Sequence, residues 1–200
     1  NDGKVGDYYN PIYNTTLNTI NNATYTNITN NLYLEWQLAE NLKLTGRLGI
    51  FRQLTSQDVF ESADHTDFAT YTDEYRKGLH YQASGKHLDL NADAGISYSL
   101  TRDKHLLFFN GQVNLSDNTY SNESITAEGY PSDKITDIGA ALQYQKNGRP
   151  GGTEGISRSC GALASVNYSF DNKYLFDGYY RLSGSSEAGR SNRWNSFWSI

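Results

Sequence analysis

The stretch Leu88-Asp89-Leu90-Asn91-Ala92-Asp93-Ala94-Gly95-Ile96-Ser97-Tyr98-Ser99-Leu100 decides the fold: its apolar side chains fall on even positions and its polar ones on odd positions. Successive side chains of a strand point to opposite faces, so a period of two describes a strand with one apolar and one polar face. The run is about twice the ~5–6 residues usual for a strand in a soluble protein.

The same signature recurs on either side of it. Ile28, Leu32, Leu34, Trp36 and Leu38 oppose Glu35 and Gln37, and Leu42, Leu44, Leu48 and Ile50 oppose Lys43, Thr45 and Arg47. Leu107, Phe109, Val113 and Leu115 alternate with Phe108, Asn110, Gln112 and Asn114. Ala162 to Phe170 and Tyr174 to Leu182 complete the set. The expected strands are therefore 27–38, 42–52, 87–100, 105–116, 160–170 and 174–184, with a further strand starting at 197–200. Short polar turns at Ala39-Glu40-Asn41, Thr101-Arg102-Asp103-Lys104 and Asp171-Asn172-Lys173 suit tight hairpins. The polar stretches 1–26, 53–86 and 117–159 read as long loops, all at the opposite end.

Antiparallel strands of this length, with short turns at one end and long loops at the other, describe an all-β transmembrane barrel segment. Periplasmic turns and extracellular loops are then expected. A soluble β-sandwich binding carbohydrate would also alternate, its polar face meeting water. The barrel is favoured by strand length, by an apolar face expected to carry no charge until Arg52 at a strand end, and by Tyr98, Tyr168, Phe170, Tyr174 and Phe176 beside the short turns. Interfacial aromatic girdles look like this. Six strands cannot enclose a lumen, for which about eight are needed.

Composition agrees. Of 200 residues, 37% are hydrophobic, below the usual 45–50%, while 16 Tyr and 18 Gly take up part of the difference. No apolar run suits a transmembrane helix. A net charge of −5 without a basic stripe argues against a nucleic-acid partner. The single Cys160 excludes an intrachain disulfide. The absence of Met points to a mature piece or a fragment.

Particular motifs add a family. Tyr9-Asn10-Pro11-Ile12-Tyr13-Asn14 and Tyr25-Thr26-Asn27-Ile28-Thr29-Asn30-Asn31, then Ala127-Glu128-Gly129-Tyr130-Pro131-Ser132-Asp133, precede Asn167-Tyr168-Ser169-Phe170-Asp171-Asn172-Lys173-Tyr174-Leu175, Gly184-Ser185-Ser186 and Asn192-Arg193-Trp194. In this order they resemble the barrel of SusC/RagA-type TonB-dependent outer-membrane transporters. Glu187-Ala188 and Trp198 depart from that pattern. The resemblance implies a 22-stranded barrel with an N-terminal plug, energised by the TonB complex. It also implies a SusD-like lipoprotein as partner, an oligosaccharide or peptide as solute, and the cell outer membrane of a Gram-negative bacterium as location. Neither plug nor TonB box is recognised in this segment.

No catalytic, cofactor or metal site is expected, and the chain does not read as an enzyme. The four His lack metal spacing and a set of carboxylate partners. Asp89 and Asp93 share a face roughly 13 Å apart, beyond the ~5–9.5 Å of a glycosidase pair. The functional expectation rests on the polar face: Glu35, Gln37, Arg47, Asp89, Asn91, Asp93, Asn110, Gln112, Asp177 and Arg181 are expected to line a lumen or hold a plug. Tyr71, Tyr75, Tyr81 and Tyr130, among acidic and Gly residues, are expected as loop contacts to solute or partner.

Overall fold

The computed structural model describes residues 4–5, 8–189 and 192–200. The parts of the first expected loop at 1–3 and 6–7 lie outside the described residues. In chain order the elements are β1 Lys4–Val5, β2 Tyr8–Tyr9, the four-residue α1 Pro11–Asn14, β3 Ile20–Ala39, β4 Leu42–Glu61, β5 Leu79–Arg102 and β6 His105–Glu128. Then come β7 Gln143–Tyr144, β8 Gly151–Phe170, β9 Tyr174–Ser185 and β10 Trp194–Ser199. β1 pairs with β2, and the other strands form one sheet in the order β10-β9-β8-β6-β5-β4-β3, with β7 paired to β6. Among the described residues no helix is long and apolar enough to cross a membrane, which says nothing of strands.

Two of the three short turns close through residues that tolerate left-handed backbone. Asp171 and Asn172 have φ of 56° and 53°, and Asp103 has 51°; Asn and Asp adopt this region at lower cost than other non-glycine residues. The strands outrun their expected limits at the other end. β3 starts at Ile20, β4 continues to Glu61, β5 begins at Leu79, β6 runs to Glu128, β8 begins at Gly151, and β10 begins at Trp194. The loops shrink to 62–78 and 129–150. The cause is chemical: segments such as Thr55-Ser56-Gln57-Asp58 are polar on both faces, so alternation falls silent while the backbone ladder, indifferent to side-chain polarity, continues.

The chain divides into two compact units, Asn1–Thr26, Gln53–Lys86 and Ser121–Glu154 in one, and Asn27–Arg52, His87–Tyr120 and Gly155–Ile200 in the other. In the second unit the apolar face is exposed, while the middle of the polar face is the more covered. Leu34, Trp36, Ile96, Leu115 and Tyr180 are 67%, 57%, 38%, 59% and 48% exposed, whereas Asp89, Asp93 and Ser97 are half-buried. That inverts the arrangement of a water-soluble fold. Register places Ala164 opposite Tyr180, Tyr168 opposite Phe176 and Phe170 opposite Tyr174. Beside this turn His105 joins the aromatics, its Nδ1 2.7 Å from the Tyr168 hydroxyl and its ring centroid 4.9 Å from that of Phe170.

The apolar face is not charge-free within strands, contrary to expectation. Because β4, β6 and β8 are longer than their alternation suggests, Arg52, Asp117 and Arg158 all lie inside them. Arg158 Nε donates to Asp117 Oδ2 at 2.7 Å.

The first unit has an ordinary core. Phe60 is fully buried and packs edge-on against Tyr130, with ring centroids 5.0 Å apart, and against His80 at 5.6 Å. Phe68 and Ala127 are also buried. Gly78 and Gly129, with φ of 76° and 83°, let the chain cross tightly here; a Cβ on Gly129 would meet the Tyr75 carbonyl oxygen at 2.5 Å.

Candidate functional site

In the second unit the polar face is largely satisfied by its own residues. Tyr33 Oη donates to Glu35 Oε2 at 2.7 Å, and Lys43 Nζ stands 3.6 Å from the other oxygen. Arg47 Nε lies 3.9 Å from Asp93 Oδ2, while Gln112 Nε2 reaches Asp93 Oδ1 at 3.5 Å. Ser97 donates to Asn110 at 3.0 Å, and Asn167 to Asp177 at 2.7 Å. Asn118 donates to Asp89, which also holds His87 Nε2 at 2.9 Å. Gln37 turns back to the Ala39 carbonyl at 2.7 Å, and Arg181 Nε donates to Ser183 at 3.1 Å. Only Asn91 of the expected set has no such partner among the described residues. Partly exposed pairs of this kind contribute ~0–1 kcal/mol each, so the network orders the wall more than it stabilises it.

The first unit holds a different surface. An open bowl of about 600 Å³ is lined by Tyr25, Thr55, Gln57, Tyr81, Asn122 and Thr153 among others. Gly85 forms part of its floor, because a Cβ there would meet Thr55 Oγ1 at 2.4 Å and Asn122 Oδ1 at 2.8 Å. The lone charged liner, Glu123, sits between Asn122 and Ser124, and alternation turns its side chain to the opposite face. No hydrogen bond joins these hydroxyls and amides to other described residues. They are free for water or a solute, unlike the paired groups of the second unit. Aromatic rings interleaved with uncharged donors and acceptors suit sugar rings or peptide groups.

No family model matches the chain, and no curated protein does. Solved structures do. The RagAB peptide transporter matches 90% of this chain with a TM-score of 0.77 at 16% identity, over 20% of that chain. The RagAB peptide importer in its open-open state matches 98% of this chain with a TM-score of 0.76 at 15% identity, over 22% of that chain. The chain has the fold of a β-barrel segment. It spans about a fifth of the length of these structures.

The four expected loop tyrosines separate. Tyr75 is exposed at 62% and Tyr71 at 36%, the latter with the Arg76 guanidinium 5.1 Å from its ring centroid. Tyr81 lies within β5 and lines the bowl. Tyr130 is a correction: only 4% exposed, it belongs to the core and is not available as a surface contact. Its hydroxyl stands 3.2 Å from His80 Nδ1, whose Nε2 is 2.5 Å from Asp58 Oδ1. A carboxylate only accepts, so Nε2 carries the proton to Asp58, and in the neutral ring Nδ1 accepts from the tyrosine. Carboxylates therefore do accompany His80 and His87. The second pair was legible as His87 and Asp89 at i, i+2 on one strand face; the first depends on cross-strand register.

Burial, followed by the charges of Asp137 and Asp58, pushes the Tyr130 hydroxyl from 10.0 up to about 12. In the unfolded chain the same group ionises near 10.0. Stability from the neutral hydroxyl is therefore complete below that pH and is lost as pH rises toward about 12. Thermal melting across this window should fall more steeply for the wild type than for Tyr130→Phe; parallel slopes would sink the assignment.

One further cluster was not anticipated. Glu61, His65 and Asp67 bring three ligand-type atoms within 4.8 Å of one another. His65 Nδ1 already accepts the Asp67 backbone N–H at 3.2 Å, capping the short 3-10 turn Thr66–Phe68. A structural cap explains it.

Proposed function

We propose that this chain is part of the barrel wall of a nutrient importer in the outer membrane of a Gram-negative bacterium. The observation that carries the reading is the burial pattern of the second unit: rows of exposed Leu, Ile, Trp and Tyr on one face, and on the other a polar face whose central residues Asp89, Asp93, Asn110 and Gln112 are half-buried and hydrogen-bonded to neighbouring polar groups. A lipid bilayer covers such an apolar face, and a lumen or plug meets the polar one. Among the described residues the outer strands β3 and β10 each have one neighbour, and further strands of the same barrel complete the pairing.

The finer parts of the reading rest on the SusC/RagA resemblance: TonB as energy source, a plug and TonB box elsewhere in the transporter, a SusD-like lipoprotein lid, and an oligosaccharide or peptide solute. The paired charges around Arg47, Asp89 and Asp93 form a rigid lining against which a plug rests. The bowl around Tyr25 and Tyr81 is the surface on which an uncharged segment of solute rests, and Tyr71 and Tyr75 meet the lipoprotein. No covalent step is assigned to the chain.

Extraction tests the location: the native protein should require detergent, and a soluble, monomeric, folded product would support a carbohydrate-binding module instead. Uptake tests the bowl. Tyr81→Ala with Gln57→Ala should lower solute uptake about tenfold, equivalent to ~1.4 kcal/mol of lost binding, with melting unchanged. Unaltered uptake would remove the bowl from the solute path.

A further inference from the structure

On the polar face of the second unit, Glu35 and Asp93 each have a Lys or Arg beside them. Asp89 does not. Its partners among the described residues are the Asn118 amide, which donates to Oδ1, and His87 Nε2, 2.9 Å from Oδ2. An amide brings no charge, and an imidazole brings one only when protonated. The Asp89 side chain is 29% exposed, so its charge is neither balanced by a permanent cation nor fully given over to water.

The surroundings frame this carboxylate. The Phe51 ring meets His87 edge-on, with centroids 5.9 Å apart and planes at 69°. Tyr120 follows Asn118 on the same face of β6. It is 41% exposed, with its hydroxyl end over Gly155, where a Cβ would meet Oη at 2.7 Å. The next residue after Asp89 on this face of β5 is Asn91, exposed and without a hydrogen-bond partner among the described residues. Beside Asn91, β4 carries Gly49, where a Cβ would lie 3.9 Å from Asn91 Cβ and 3.0 Å from Asn31 Oδ1. Between Arg47 and Phe51 that face of β4 therefore offers no side chain, and the approach to Asp89 stays open.

The valences left over here are mostly acceptors. A carboxylate has about four lone-pair positions, and Asn118 and His87 occupy only two. The amide oxygens of Asn91 and Asn118 add more, and Phe51 and Tyr120 flank them with aromatic rings. Acceptors around an unbalanced negative charge, beside aromatic rings, suit a cation with several N–H donors. A neutral hydroxyl gains less at such a place, and an anion is repelled.

We propose that Asp89, with Asn91, Asn118 and Tyr120, holds a guanidinium or ammonium group of the solute. The inference rests on the reading of this face as the lumen lining.

Two measurements on the full transporter in detergent test it. With Asn91→Cys, a cationic methanethiosulfonate reagent should modify the peptide carrying residue 91 about tenfold faster than its anionic counterpart, because a local negative charge concentrates cations. Adding Asp89→Asn should bring that ratio near one. Calorimetry then compares two pairs of probes: an N-acetylated tetrapeptide with one arginine against its glutamine analogue, and a glucosamine trimer against its N-acetylated form. The cationic member of one pair should bind about tenfold more tightly than the neutral member, and which pair does so identifies the source of the cation. Asp89→Asn should abolish the difference. So should Asn91→Arg, which keeps the carboxylate and supplies its own guanidinium. Equal or undetectable affinities in both pairs, or a preference that survives either variant, overturns the proposal. A residue 91 that neither reagent reaches would instead overturn the lumen-lining reading.

Discussion

If the proposed bilayer-wall reading holds, replacing Ile96 with Arg destabilises the folded protein by about 2–4 kcal/mol, the cost of a cation near the bilayer midplane on a lipid-facing strand position. Ile96 is 38% exposed on the apolar face, and its Cγ2 lies over Gly111, where a Cβ would approach it to 3.1 Å. Asn91→Arg supplies the control, because Asn91 sits on the polar face and its change should stay within about 0.5 kcal/mol, as for other exposed polar positions. Urea titration of the protein refolded into lipid vesicles measures both. If Asn91→Arg proved the costlier change, the two faces would have been assigned the wrong way round.

Phe60→Ala carries the second large effect. Phe60 is fully buried between Tyr130 and His80, and truncation of a core Phe costs about 3–5 kcal/mol once the cavity is included. The loss falls on the unit that supports residues 62–78 and 129–150, so both loops should become rapidly cleaved under limited proteolysis. On the proposed bilayer-wall reading, vesicle insertion through the apolar face of the second unit should persist. Unchanged protease resistance would mean that the loops are held by something other than the Phe60 cluster. The same core makes deletion of 60–80 a poor probe of any partner contact, since it removes Phe60, Phe68 and His80 together. Tyr71→Ala and Tyr75→Ala are the cleaner changes.

Legibility followed polarity. Where one face is apolar and the other polar, as in 88–100 or 162–170, strand, face and hairpin partner could all be read directly. Where both faces are polar, as in 55–58 or 117–124, nothing in the side chains distinguishes a paired strand from a loop, and the loops were overestimated. The polar-face candidates emerged with their face but without their partners: that Arg47 meets Asp93, or Asn118 meets Asp89, depends on register. Tyr130 was misplaced for a related reason. Its neighbours Gly129, Pro131, Ser132 and Asp133 are those of a surface loop, while its burial comes from Phe60 and His80, distant in the chain.

By itself the sequence determined that this protein is a sheet of long amphipathic strands joined by tight turns at one end, because a two-residue period and Asx-type turns are local properties of the chain. Only the tertiary structure decided which groups are engaged and which are free. Cross-strand register pairs the charges of the second unit with one another, leaves the hydroxyls and amides around Tyr25 and Tyr81 without a partner among the described residues, and lines up Ala92, Cys160 and Gly184 along one face. Each of these joins residues tens of positions apart, and such distances close only when the strands lie side by side.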